Sequence, residues 1–362
     1  MKILFIAQNA PPLQSGRARQ ALALRKELID RGHSVDFWSI DTVPAATAVD
    51  SPVSVRLPQT ARLSNTVKVL RHALQGRFDA VHFHGHHYLV ALTPILRRAG
   101  IRCVLNMSEI GFDDPDALLN QPWLSRIQRA GIDNLHSWVV QNPSNAEGHA
   151  AAVCVPNAVT VPASVTPWAK RQQVILSSGV VCERKGQLEL IEGFSRSACN
   201  VRENWQLILC GSYQPDFEEH DPAYVRAVLE AIRKVPGVRL LGHLQREELQ
   251  QWLARSRYFT ATSAREGLSN AYLEALAYGV QPILPADRED ELFHTLNLTQ
   301  SALRLTADGR VPELPHRPRI DVQALSDRVR QTFGREAVLP ALEELYAGEE
   351  NTGAMQTLEV AC

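Results

Sequence analysis

Two rhythms of hydrophobicity alternate along this chain. Short apolar runs rich in β-branched and aromatic residues, at residues 2–7, 34–40, 80–84, 102–106 and 138–141, read as strands. Between them, apolar positions recur at helical spacing over residues 17–31, 63–75 and 89–99. The first strand runs into a Pro11-Pro12 loop and Gly16, and Gly32-His33 closes the first helix before Ser34 resumes a strand. Strand, helix and parallel strand in that order call for right-handed crossovers, so the N-terminal half predicts a doubly wound α/β domain.

The periodicity fades over residues 160–172, where Pro162 and Pro167 stand among few apolar repeats, and this marks a linker. A second α/β pattern follows. Its strands fall at residues 174–179, 206–211, 238–241 and 258–262, its helices at residues 186–195, 223–234 and 246–254, and one more helix runs to about Tyr278. A last helix is predicted over residues 336–345. The domains are therefore drawn at residues 1–165 and 166–334, with residues 335–362 as a terminal helix and tail. No repeat at a solenoid period is present.

Composition narrows the class. With 362 residues, 45% of them hydrophobic and 21% charged, the chain has room for two ordinary globular cores. Lys and Arg number 38 against 39 Asp and Glu, so the whole chain carries no field that argues for nucleic acid as the main partner, and none is expected. The halves differ: 16 basic and 12 acidic residues lie in residues 1–165, against 22 and 27 in the rest. A basic N-terminal half suits an anionic acceptor or a membrane surface, and is also what a solvated face gives. Cys103, Cys154, Cys182, Cys199, Cys210 and Cys362 form no C-x-x-C pair and read as reduced, mostly structural residues. The apolar start is too short for a signal peptide and no run reaches about 18 apolar residues, so a cytoplasmic protein is expected, one that meets any lipid-linked substrate from outside the bilayer.

The densest chemistry lies at residues 263–282. Glu266 precedes Gly267, where backbone can approach a ligand. Ser269-Asn270 then offers N-cap chemistry to an apolar helix that carries Glu274. Free amides at that helix start suit a diphosphate, and the two carboxylates are spaced to meet opposite ends of an elongated ligand. A merely solvated pair of glutamates is the plain alternative. A second group, Ser178-Gly179-Val180-Val181-Cys182-Glu183-Arg184-Lys185-Gly186, follows a strand and opens a helix; a cation at a helix start is the wrong sign unless an anion lies nearby.

The first of these segments resembles the Glu-x7-Glu motif of the retaining glycosyltransferases of GT-B fold. That resemblance implies two Rossmann-like doubly wound domains facing a cleft, an acceptor-binding domain followed by a nucleotide-sugar-binding domain, and a last helix that returns to the first. It implies that Glu266 approaches the transferred sugar, that Gly267, Leu268 and Ser269 contact sugar and phosphate, and that Glu274 binds the ribose hydroxyls. Lys185 matches the cation that neutralises the departing diphosphate. Val180 stands where relatives carry a second cation, and the neighbouring Arg184 is its candidate substitute. Ser15-Gly16 in the first β-to-α loop keeps one glycine of the usual pair, so Gly16 is a candidate for close approach of backbone to the donor. The strand ending in His82-Phe83-His84 matches the His-x-His strand whose second histidine lies beside the sugar, which assigns His84. Val155-Pro156-Asn157-Ala158-Val159 and Leu209-Cys210-Gly211-Ser212 are similar to two further segments of the family in order and spacing, and Asn106 stands where many relatives have a histidine.

The resemblance further implies retention of configuration, no cofactor and no bound metal. The nucleotide sugar, commonly a uridine diphosphate sugar, is a substrate, and a glycan or lipid-linked saccharide is the acceptor. A metal at His84, His86 and His87 is the rival to the sugar reading of that loop, although no carboxylate or Cys stands at a familiar ligand spacing. The other expectation for the loop places His82 in the core and His86 and His87 on the surface. Two other functions are weighed: a nucleotide-sugar-binding protein without turnover, suggested by Val180, Ala158 and Asn106, and a sugar-nucleotide epimerase of related fold. A dehydrogenase is disfavoured, since no G-x-G-x-x-G follows the first strand.

Overall fold

The computed structural model describes residues 1–8, 10, 16–41, 53–107, 118–120, 126–141, 146, 149–215, 219–263, 268–286 and 291–348. The first sheet is parallel and seven-stranded: β1 (Lys2–Gln8), β2 (Ser34–Asp41), β3 (Val55–Pro58), β4 (Ala80–His84), β5 (Arg102–Asn106), β6 (Ser137–Val140) and β7 (Ala152–Cys154), in the order β3-β2-β1-β4-β5-β6-β7. The order reverses between β1 and β4, which pair in register from Ile3 with Ala80 to Ala7 with His84. Its helices are α1 (Gly16–Asp30), α2 (Arg62–Gly76), α3 (Thr93–Arg98) and α4 (Arg126–Ile132). Alternate residues of the strands feed two apolar layers: Leu4, Ile6, Val81 and Phe83 pack with α2, α3 and α4, while Ile3, Phe5 and Ala80 pack with α1.

The second sheet, parallel and six-stranded, comprises β8 (Gln172–Ser178), β9 (Gln206–Cys210), β10 (Val238–Leu240), β11 (Ser256–Thr260), β12 (Gln281–Leu284) and β13 (Leu303–Arg304), in the order β10-β9-β8-β11-β12-β13. Around it lie α5 (Gln187–Ser195), α6 (Ala198–Val201), α7 (Pro222–Lys234), α8 (Arg246–Arg255), α9 (Asn270–Ala277), α10 (Glu291–Thr295) and α11 (Val322–Phe333). Helix starts follow capping chemistry: the Asp221 and Asp321 side chains accept from the first amides of α7 and α11, and Gln245 with Glu248 forms a capping box on α8. The buried Arg171 guanidinium donates to the carbonyls of Thr166, Ser256 and Tyr278, which ties the starts of β8 and β11 to the end of α9. Burial lowers its pKa to about 10.

The chain ends its described course in α12 (Arg335–Ala347), whose Val338, Leu342, Leu345 and Tyr346 join the core layer of α1. Contacts accordingly divide the molecule into two compact units, Met1–Ala158 with the chain from Arg335 on, and Val159–Gly334. Both are Rossmann-like, and the fold is GT-B. The crossing falls before the 165/166 boundary drawn from composition, and there is a bonding reason. Val159 bridges to Gly334 and donates its N–H to Phe333 O at 2.8 Å, and Arg330 donates to Pro162 O, so residues 159–165 belong with the second unit.

Several elements were hidden in the sequence. β12 begins Gln281-Pro282, and a proline reads as the end of a helix rather than as a strand residue, yet Pro282 pairs opposite Phe259 in β11. The helix predicted over residues 89–99 divides into a 3-10 turn, Tyr88–Leu92, and α3. β3 and β7, with four and three residues, are too short for a periodic signal.

Candidate functional site

In the second unit the strand order reverses between β8 and β11, and ligands of open α/β sheets bind outside the carboxyl ends of strands at such a point. The chain leaving β8 stays zipped to its neighbour: Gly179 N–H donates to Cys210 O and Val181 N–H to Ser212 O, each at 2.8 Å. Gly211 permits this approach, because a Cβ there would collide with the Gly179 carbonyl. A 3-10 turn, Glu183–Lys185, then leads to Gly186 at φ +64°, a left-handed conformation that starts α5. Thr262, just past β11, donates its hydroxyl toward Lys185 O at 3.0 Å and Gly186 O at 2.8 Å, and a Cβ on Gly186 would lie 2.8 Å from Thr262 O. The lysine turn is thus fastened to the exit of β11. The Lys185 side chain runs back over the residue that leaves β8, its Cδ and Cε 3.5 and 3.6 Å from the Cβ position of Gly179.

α9 rises from the same exit. Tyr272 holds it there: its hydroxyl accepts from Ala261 N–H at 3.0 Å and donates to Ile283 O at 2.6 Å, and its ring packs edge-on against Phe259 and Phe293. Tyr272, Leu273, Ala275, Leu276 and Ala277 face inward, which leaves Glu274 exposed. Ser269 occupies the N-cap position, but its hydroxyl makes no capping bond; its carbonyl accepts from Leu273 N–H at 2.9 Å. The Leu268 side chain is buried in the core, so Leu268 can offer a ligand only its backbone. Glu266 and Gly267 lie outside the described residues.

Arg184, the candidate substitute for the cation missing at Val180, is already engaged. Its Nε and Nη2 donate to the Glu219 carboxylate at 2.7 and 2.8 Å, and that guanidinium holds the Glu219 pKa below its ordinary value. Sequence reading missed Glu219, which sits in an irregular segment with no periodic signal. It also missed Thr262, whose role depends on a residue of another strand's loop.

In the first unit the reversal lies between β1 and β4, and His84 ends β4 there, with Gly16 opening α1 after β1. His84 is 2% exposed, its ring stacked on His82 at 4.1 Å and tilted against Phe5 at 4.5 Å. Its Nε2 is buried without a hydrogen-bond partner, as is Asn106 Oδ1 opposite it on β5. His82 is a core residue, with Nδ1 2.6 Å from the Tyr346 hydroxyl. His87 departs from its expected place on the surface: it is buried, its Nε2 3.4 Å from Ile6 O, because the residues after β4 fold back over β1 rather than into solvent. Burial lowers the pKa of His82 and His87 to about 3, that of His86 to about 4, and that of His84 well below the ordinary value, where like-charged His82 and His87 add to the effect. All four rings are neutral at pH 7, each offering one donor and one acceptor. Among the described residues no group of three or more His, Cys, Asp or Glu is arranged to hold a metal ion.

Two family profiles match the chain. Residues 172–287 match Glycosyl transferases group 1, and residues 15–164 match the Glycosyl transferase 4-like domain. No curated protein matches in sequence. Among solved structures, sucrose-phosphate synthase from Thermosynechococcus elongatus is similar with a TM-score of 0.69 at 16% identity, over 96% of this chain and 98% of the other. HepE of Anabaena, solved with UDP and glucose, has a TM-score of 0.69 at 15% identity over 96% and 100% of the two chains. TarM of S. aureus, in a complex that includes UDP, has a TM-score of 0.63 at 9% identity over 95% and 99%. At these identities the likeness is one of fold.

Proposed function

The chain belongs to the glycosyltransferases of GT-B fold, and from that premise we propose that it moves a sugar from a nucleoside diphosphate donor, a UDP-sugar, to a glycan or lipid-linked saccharide with retention of configuration. The observation that carries the reading is Lys185, fastened by Thr262 to the exit of β11 at the reversal of the second sheet, from which α9 and Glu274 arise. An ammonium group at this point suits a diphosphate, and the backbone amides at the start of α9 add to it. Lys185 and the amides of Gly267, Leu268 and Ser269 stabilise the leaving diphosphate, Glu274 binds the ribose, and Glu266 lies by the transferred sugar. His84 is assigned to a sugar hydroxyl, which its neutral imidazole with an unbonded Nε2 supports, and Gly16 to close approach of backbone to the donor. In a retaining displacement of this kind the acceptor hydroxyl attacks the anomeric carbon on the face from which the diphosphate leaves. The C–O bond to phosphate breaks, and a phosphate oxygen takes the hydroxyl proton. No protein nucleophile is required, and no metal or cofactor enters the proposal.

Arg184 favours a second reading, since its pairing with Glu219 and the valine at position 180 leave one fewer cation for the diphosphate: nucleotide-sugar binding without transfer. One experiment separates the two. Thermal shifts are recorded with UDP, GDP and ADP and their sugars, with and without EDTA, and product formation is followed on a panel of saccharide acceptors. The proposal expects a UDP-selective shift insensitive to EDTA, a loss of about tenfold or more in UDP affinity in Lys185→Ala and Glu274→Ala, and a loss mainly of transfer in Glu266→Ala. Unchanged nucleotide affinity in both of the first two variants would overturn the site, and binding without any turnover would select the second reading.

A further inference from the structure

Exposed apolar side chains gather on one layer of the first unit. Among the described residues the large hydrophobics left exposed are Leu63, Val67 and Leu74 on α2, Ile95 on α3 and Ile127 on α4, with only Ile29 and Val201 elsewhere. The three helices are neighbours: α3 packs against both α2 and α4, and Val69, Leu96 and Ile132 on their inner sides share one core layer. α2 thus carries two apolar lines. Asn65, Val69 and Ala73 face the sheet, whereas Leu63, Val67 and Leu74 fall within about 40° of one another on a different side. At 81% exposure for Leu63, 58% for Val67 and 70% for Ile127 these side chains are in water. Scattered exposed leucines are ordinary, but a line of them on a helix whose opposite side is already buried marks a surface that meets a partner.

Charge identifies the partner. Between Asp50 and Glu109 the sequence holds a single acid, Asp79, and none of the three helices contains one. Arg71 and, farther round, Lys68 lie to one side of the stripe of α2, Arg97 and Arg98 end α3, and Arg126 opens α4. Among the described residues none of these five cations pairs with a carboxylate; Arg71 donates to Gln75 and Arg97 to backbone carbonyls. An apolar stripe beside cations that no described carboxylate pairs, in a protein with no described helix able to cross a membrane, is complementary to an anionic lipid surface. We propose that α2, α3 and α4 dock the protein on an anionic bilayer, with Leu63, Val67 and Ile127 entering the boundary between headgroups and acyl chains and the cations meeting lipid phosphates. The proposal is independent of sugar transfer and survives its failure.

The full chain is sedimented with vesicles of phosphatidylcholine alone and of phosphatidylcholine with about one third phosphatidylglycerol, over a series of salt concentrations. The expected result is binding to the anionic vesicles only, weakening as salt rises. Partition falls at least tenfold in Leu63→Ser/Val67→Ser/Leu74→Ser and at least about fivefold for each charge reversed in Lys68→Glu and Arg71→Glu, with folding checked by circular dichroism. Wild-type protein that stays in solution with both vesicles, or binds both equally at all salt concentrations, overturns the proposal. So do folded variants that bind as wild type does, and so does a wild-type dimer that the serine variant converts to monomer, which would assign the face to a second copy of the chain.

Discussion

Burial holds the imidazoles of His82 and His87 at about pKa 3 and that of His84 well below its ordinary value, and this has a consequence for stability. In the unfolded chain each titrates near its reference value of about 6.5, so between the two values the unfolded state binds more protons. The stabilisation is fully present above about pH 6.5 and is lost as pH falls toward about 3, at up to about 1.4 kcal/mol per pH unit for each ring. Against a total stability of roughly 5–15 kcal/mol, urea midpoints for the first unit are expected to drop sharply between about pH 7.5 and 5.5. A midpoint flat over that interval would contradict the buried neutral rings. At this scale the sequence offered candidate side chains but not their surroundings. The places of Lys185 before a helix and of Glu274 on one were legible, because charge at a helix start and a paired spacing are local signals. The burial of His87 and the capture of Arg184 by Glu219 were not, because each depends on a residue far away in sequence.

Among the elements, the turns that leave β8 and β9 matter most for the candidate site. Gly186→Ala would force a side chain into a left-handed conformation 2.8 Å from Thr262 O, and Gly211→Ala would drive a Cβ into the Gly179 carbonyl. Each is expected to cost about 2 kcal/mol or more in urea unfolding and to weaken nucleotide affinity. Gly32→Ala, also at positive φ but with no atom within 4 Å of its Cβ, should cost only about 1 kcal/mol and leave nucleotide affinity alone. Equal losses at the three positions would show that close packing at these turns is unimportant. The elements themselves were readable where period and length agreed: β1, α1, β2 and the helix that follows Ser269 stand where their patterns put them. β12 escaped because Pro282 argues against a strand, and it forms because paired neighbours on both sides, β11 and β13, fix its place.

For the whole molecule, α12 decides whether the first unit has a complete core. It buries Val338, Leu339, Ala341, Leu342, Leu345 and Tyr346; Arg31 donates to Glu343 and Glu336, and Arg102 to Leu345 O. Those side chains amount to on the order of 10 kcal/mol of apolar burial, comparable to the whole margin of a domain. A chain ended at Gly334 is therefore expected to lose the cooperative unfolding of its first unit and to expose that sheet to hydrogen exchange, while Val159–Gly334 keeps its protection. Normal protection throughout would show that α12 is dispensable. The sequence by itself determined two doubly wound units, most of their strands, and which charged residues stand at helix starts, because periodicity and helix-start chemistry act within a few residues. Only the tertiary structure decided the crossing at Ala158 and Val159, which side chains α12 adds to the first core, and the junction of the Lys185 turn with β11 through Thr262. These are contacts between residues far apart in the chain, and they form only when the sheets set which strand ends become neighbours.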